Sequence, residues 1–215
     1  MNLNKLTIAE QDFMFIFPDG FADPKMAELA EKHQVDKMTT LTQELFARQH
    51  FNHTKKILEN WIKVVNRSSM VSMFEKPKFK NMINSLSQVE GELLGMALFE
   101  FLYGNQQKGF VAQLDILKQY KLAKWSIISV VPAYFFPQDE VFVKPTTAKG
   151  VIQYFELEDV HYKPTPSWNF YCQYKRYINE MKQQVNATLS PNNAAFCGFL
   201  MMSLPESKAK SLAGR

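Results

Sequence analysis

Glycine is scarce in this chain of 215 residues, with eight, and cysteine is nearly absent, with two. Few glycines and many long apolar side chains favour helix packing over a turn-rich β-sandwich. Cys172 and Cys197 each sit in an apolar, helix-like segment, so no disulfide framework is expected and a cytoplasmic address is the default. No apolar run reaches the roughly 20 residues that span a bilayer. The longest, residues 125–136, is broken by Ser126, Ser129 and Pro132, and a membrane partner is not expected. The first residues carry no continuous apolar stretch behind Lys5 and no small-residue cleavage site, so they do not read as a signal peptide. The glycine patterns of P-loops and Rossmann folds, the serine elbow and the zinc-protease helix are all missing. Those enzyme classes become less favoured and no cofactor is expected. Catalysis from a site assembled across the fold stays open.

What is present is an ordinary globular composition, 46% apolar and 21% charged, with 18 Phe and 11 Met. Asp23-Pro24 reads as an N-cap with proline at the first helical position. Met26, Leu29 and Ala30 follow on one side of a short helix, and Met38, Leu41, Leu45 and Phe46 on a second. The spacing of Ile57, Trp61, Val64 and Val65 predicts a helix over 54–67, continuing through Met70–Phe74 and stopping before Pro77. Further helices are predicted near 79–86, 90–103 and 110–122. Ser126–Phe136 is β-branched and aromatic, and the Val-Phe-Val before Lys144 reads as a second strand. Thr146 or Thr147 is taken to cap a helix to about 155, Pro166-Ser167 to open one to 185, and Ser190-Pro191 to cap a last one to 203. The expectation is an α+β fold, predominantly α-helical, with a small antiparallel β-hairpin near 125–144. It forms one compact domain over 1–204, with a candidate subdivision near 105, and a flexible tail over 205–215.

The formal net charge of +4 is small, but it is unevenly spread. Residues 1–47 carry four Lys against eight Asp and Glu. Residues 48–81 carry eight basic residues, Arg48, Lys55, Lys56, Lys63, Arg67, Lys76, Lys78 and Lys80, against Glu59 and Glu75. An acidic stretch at −4 therefore masks a neighbour at +6. Lys56 and Lys63, seven apart, share a helical face, and Lys76, Lys78 and Lys80 alternate with Pro77 and Phe79 in an extended turn. Such a surface suits several phosphates; the plainer alternative is a solvated helix face whose lysine stems cover apolar neighbours.

Three other segments carry candidate chemistry. Residues 26–48, with Ala30, Val35 and the polar start Asp36, Lys37, Thr39 and Thr40, resemble a helix-turn-helix. They depart from it at Gln34 and Thr40, and their acidity opposes phosphate, so an ordinary helical pair reads them better. In 139–150, Glu140 and Lys144 loosely resemble the acidic–lysine end of a restriction-type nuclease motif, but Phe142 stands where that motif needs its acid. Anion binding fits better there: Lys144 and Lys149 flank a helix start with the Thr146 and Thr147 hydroxyls. In 162–177, Tyr162, Trp168, Phe170, Tyr171, Tyr174 and Tyr177 interleave with Lys163, Lys175 and Arg176. The pattern suits base stacking beside phosphate neutralisation, or, on a helix, plain core packing. His50 and His53, with His33 and Asp36 upstream, lack a third metal ligand at a recognised spacing, so no metal is expected.

The leading expectation is a protein that binds nucleic acid or another phosphate-bearing partner through residues 48–81, joined by Lys144, Thr146, Thr147, Lys149, Lys175 and Arg176. The alternatives are a non-catalytic interaction or homo-oligomeric assembly module, and an enzyme acting on an anionic substrate near 144–150.

Overall fold

A computed structural model describes residues 1–205 and Ser207. Eleven α-helices run in chain order among the described residues. They are α1 (Leu3–Ile16), α2 (Ala27–His33), α3 (Val35–Leu45), α4 (Thr54–Arg67), α5 (Glu75–Ser85), α6 (Gln88–Tyr103), α7 (Gln106–Gln119), α8 (Trp125–Phe135), α9 (Pro145–Tyr154), α10 (Trp168–Lys182) and α11 (Asn193–Ser203). No strand occurs among the described residues, so the fold is all-helical and the expected hairpin near 125–144 is absent. Of the tail expected over 205–215, all but Pro205 and Ser207 lie outside the described residues.

The hairpin fails for a physical reason. Every residue from Trp125 to Tyr134 is buried. A short run buried on all sides shows neither a two-residue nor a 3.6-residue period, and β-branched propensity is then overridden by packing. Ser129 Oγ donates to the Trp125 carbonyl one turn back at 2.6 Å and accepts the Val143 backbone N–H at 3.0 Å. The same hydroxyl thus closes a turn of α8 and holds the second expected strand, residues 141–143, as irregular chain. Pro132 sits inside α8, where it leaves the Ile128 carbonyl without its helical N–H.

Two helix boundaries also differ from expectation. α4 stops at Arg67, and Pro77 lies in the first turn of α5, where a proline removes no needed donor. The segment expected as an extended turn over 76–80 is therefore helical. Lys144, not Thr146 or Thr147, is the N-cap of α9, with Pro145 at its first position. Several other helices start on polar side-chain caps: Ser87 makes a capping box with Glu90, Asn105 caps α7, Ser167 caps α10 and Asn192 caps α11.

One apolar cluster extends from Leu6 to Leu204. Its aromatic centre joins Phe101, Phe110, Trp125, Phe170 and Tyr171, with ring centroids 4.9 Å apart for Trp125 and Phe170 and 5.4 Å for Phe110 and Tyr171. The rings of 162–177 that the sequence offers for base stacking are thus largely spent on packing: Phe170, Tyr171 and Tyr174 are buried. Around this centre α4 packs against α3, α5, α6 and α8, and α10 against α7 and α11.

Candidate nucleic-acid interface

α4 buries Ile57, Leu58, Trp61, Val64 and Val65, and that choice of inner face fixes the outer one. At 3.6 residues per turn Lys56, Lys63 and Arg67 fall within about 40° of one another. All three are exposed, and the stripe runs about 16 Å along the helix. Lys55 flanks it. On α5, Phe79, Met82 and Ile83 face inward, which sends Lys76 and Lys80 to one side and Lys78 to the other. The helix thus separates lysines that an extended turn would have aligned.

The stripe leads into an open groove of about 780 Å³. Lys32 and His33 at the end of α2, Lys37 near the start of α3 and Arg67 at the end of α4 line it, together with the carboxylates of Asp36 and Glu44. Gln34, in the left-handed region at φ 45°, is the single residue between α2 and α3. That break is tighter than the three- or four-residue turn of a helix-turn-helix, and α2 buries none of its residues. His33 Nδ1 lies 2.8 Å from Ser69 Oγ. Burial, and then the charges of Lys32 and Lys144, hold the His33 pKa below the ordinary histidine value. Lys144 therefore shares the electrostatic surroundings of this groove. The sequence offered His33 only as an upstream metal ligand and Lys37 only in the helix-turn-helix resemblance, and Lys32 not at all, because all three lie in its acidic part.

The other expected site residues go elsewhere. Lys175 Nζ is 2.6 Å from Glu140 Oε1 and is drawn into the interior. Arg176 pairs with Glu180 at 3.8 Å and covers the Tyr177 ring. Lys149 lies over Tyr162, its ammonium 5.0 Å from the ring centroid. Thr147 is buried and Thr146 exposed, so the start of α9 does not gather Lys144, Lys149 and both hydroxyls around one point.

The ion pairs sort the cations decisively. Five occur among the described residues, on Lys5, Lys108, Lys118, Lys175 and Arg176. None involves Lys55, Lys56, Lys63, Arg67, Lys76, Lys78 or Lys80, nor Lys32, Lys37 or Lys144. Glu75, one of only two acids in 48–81, is turned toward Ser126, whose hydroxyl donates to it at 2.6 Å.

Other features offer less. A hollow of about 360 Å³ between residues 1–4 and Glu156 and Glu158 is acidic. An exposed apolar stripe on α6, Val89, Leu93 and Met96, has nothing in the structure to show what covers it. Among the described residues no three His, Cys, Asp or Glu side chains gather in a metal-binding group, and no helix is long and apolar enough to cross a membrane. Both cysteines are free; burial pushes the Cys197 thiol up to about 12, which removes it as a nucleophile. In comparisons with protein-family models, curated proteins and solved structures, nothing matches this chain.

Proposed function

We propose that this protein binds the phosphate backbone of a nucleic acid along the cationic face of α4, with the α2–α3 groove extending the contact. The observation that carries the proposal is the sorting of charge: the cations of residues 48–81 hold no ion pair among the described residues, while Lys175 and Arg176 do. Three cations without ion pairs, in a line about 16 Å long, present a row of positive charge to a polymer whose own charges are regularly spaced. The groove cations Lys32 and Lys37 enter from another part of the chain, and the charge of Lys144 is felt at His33 on the groove's wall. Arg48, whose guanidinium lies over the Phe99 and Tyr103 rings at 5.7 and 5.8 Å, is held in place by those rings at the near end of the basic segment.

The contact is to backbone, which positions a strand and by itself carries no sequence information. Fluorescence anisotropy with a labelled oligonucleotide tests it. The wild-type chain binds at low salt, and the combined Lys56→Glu, Lys63→Glu and Arg67→Glu variant loses at least tenfold in affinity with unchanged thermal stability. A wild-type chain that leaves the anisotropy of the oligonucleotide unchanged at low salt would refute the reading.

A further inference from the structure

The loop between α4 and α5 is tied down at nearly every residue. Ser68 Oγ shares a hydrogen bond with Tyr134 OH at 3.0 Å and accepts the Met70 N–H at 3.1 Å. Ser69 meets His33, and Val71 is buried at 3% exposure. Ser72 Oγ accepts the Phe74 N–H at 3.2 Å, and the Ser72 carbonyl accepts the Glu75 and Lys76 N–H groups at 3.0 and 3.2 Å. The Glu75 carboxylate is anchored on α8 through Ser126. Yet between these anchors Met73 and Phe74 stand 79% and 80% exposed. Two adjacent large apolar side chains thus stand out to solvent from a loop whose neighbouring residues are hydrogen-bonded or buried. Lys76 follows Phe74 by two residues, and Arg67, the last cation of the α4 stripe, precedes it by seven.

Resting on the nucleic-acid reading above, we infer that Phe74, with Met73 beside it, is a stacking platform for an unpaired base, so that the strand carried by α4 is single-stranded. An aromatic face gains from a base only when the base is free of its own stack, and a preorganised ring gives up little conformational entropy on binding. A duplex keeps its base faces covered and so gains phosphate contacts alone. The cations on either side of Phe74 in the sequence, Arg67 and Lys76, would supply the backbone neutralisation that accompanies stacking in strand-binding grooves. An apolar pair among lysines also has the composition of a wedge for an anionic bilayer. The geometry favours the strand: Lys56, Lys63 and Arg67 lie in a line that runs on into a groove. That groove carries the carboxylates of Asp36 and Glu44, which a flat anionic surface would repel.

The test compares binding of labelled oligothymidylate, of a duplex of equal length, and of vesicles containing anionic phospholipid. The strand is expected to bind more tightly than the duplex. Phe74→Ala should weaken strand binding about five- to a hundredfold while leaving the duplex unchanged, and Phe74→Trp should retain or strengthen it. If Phe74→Ala binds the strand as wild type does while the α4 charge reversals still weaken both nucleic acids, stacking is refuted and the backbone reading stands. If the wild type binds neither nucleic acid, both fail. Phe74-dependent sedimentation with vesicles, without strand binding, would overturn the inference in favour of a lipid surface.

Discussion

Glu140 is 2% exposed, and its carboxylate is enclosed by donors from two helices. Lys175 Nζ and Gln106 Nε2 reach Oε1 at 2.6 and 3.0 Å, and Tyr171 OH donates to Oε2 at 2.7 Å. Its backbone carbonyl accepts from Asn193, which also accepts from Lys182. One acid therefore fastens the loop between α8 and α9 to α7, α10 and α11. Burial and the neighbouring Glu140 charge drive the Tyr171 phenol well above its ordinary pKa, which keeps it a donor across the working range. Removing Lys175 alone would strand a buried carboxylate, so Lys175→Met should cost about 3–5 kcal/mol in chemical denaturation. The double variant Glu140→Gln with Lys175→Met should recover much of that loss, because no unpaired charge remains. Equal loss in the single and double variants would show that the pair contributes by shape alone. His33 behaves in the opposite sense. Burial and the Lys32 and Lys144 charges depress its pKa, so a bound polyanion, which favours the protonated ring, must raise it. By linkage, binding then tightens as pH falls through the histidine range. The NMR titration of His33 should lie below that of a free histidine and shift upward when oligonucleotide is added; an unmoved titration would place the strand away from the groove.

Among the elements, α6 and α7 pack backbone to backbone where Gly109 faces Ala97 and Phe101, and its missing Cβ makes that possible. A Cβ there would stand 2.6 Å from the Ala97 carbonyl oxygen of the facing helix, against backbone that cannot move aside. Gly91 lies in α6 itself, and its Cβ would meet only the end of the Leu58 side chain at 3.2 Å. Gly109→Ala should therefore cost about 3 kcal/mol or more, whereas Gly91→Ala should fall within about 1 kcal/mol of neutral, its helix propensity offsetting mild crowding. Equal effects in thermal unfolding would deny the close approach. Several helices were legible: α4 is read from its observed start, though carried past its observed end at Arg67, and α6 and α11 reach the residue at which each was expected to end. α8 was not, because burial on all sides erases the period on which the reading depends. α1 passed unnoticed since its buried residues, Leu6, Ala9 and Phe13, are few and interrupted. The loop before α5 was read as more helix because Met70, Val71, Met73 and Phe74 are all apolar; only Ser68 and Ser72, acting through their hydroxyls, show that the chain turns there.

At the scale of the molecule, the +6 segment keeps its charge uncancelled, while most of the cations expected to join it do not arrive. The α4 stripe was readable because it is a local periodicity. The pairing of Lys175 with Glu140, 35 residues away, and the meeting of Lys32 and Lys37 with Arg67 in one groove depend on tertiary packing that no local pattern encodes. The acidic first 47 residues contribute Lys32 and Lys37 to the basic groove, so the division of charge along the chain is not a division in space. If the α4 cations that hold no ion pair take up phosphates, the affinity for an oligonucleotide must depend on salt. The logarithm of the binding constant should fall linearly with the logarithm of salt concentration, and the combined Lys56, Lys63 and Arg67 reversal should flatten that slope by about two or more. A slope near zero in the wild type, or one that the reversal leaves unchanged, would contradict the account.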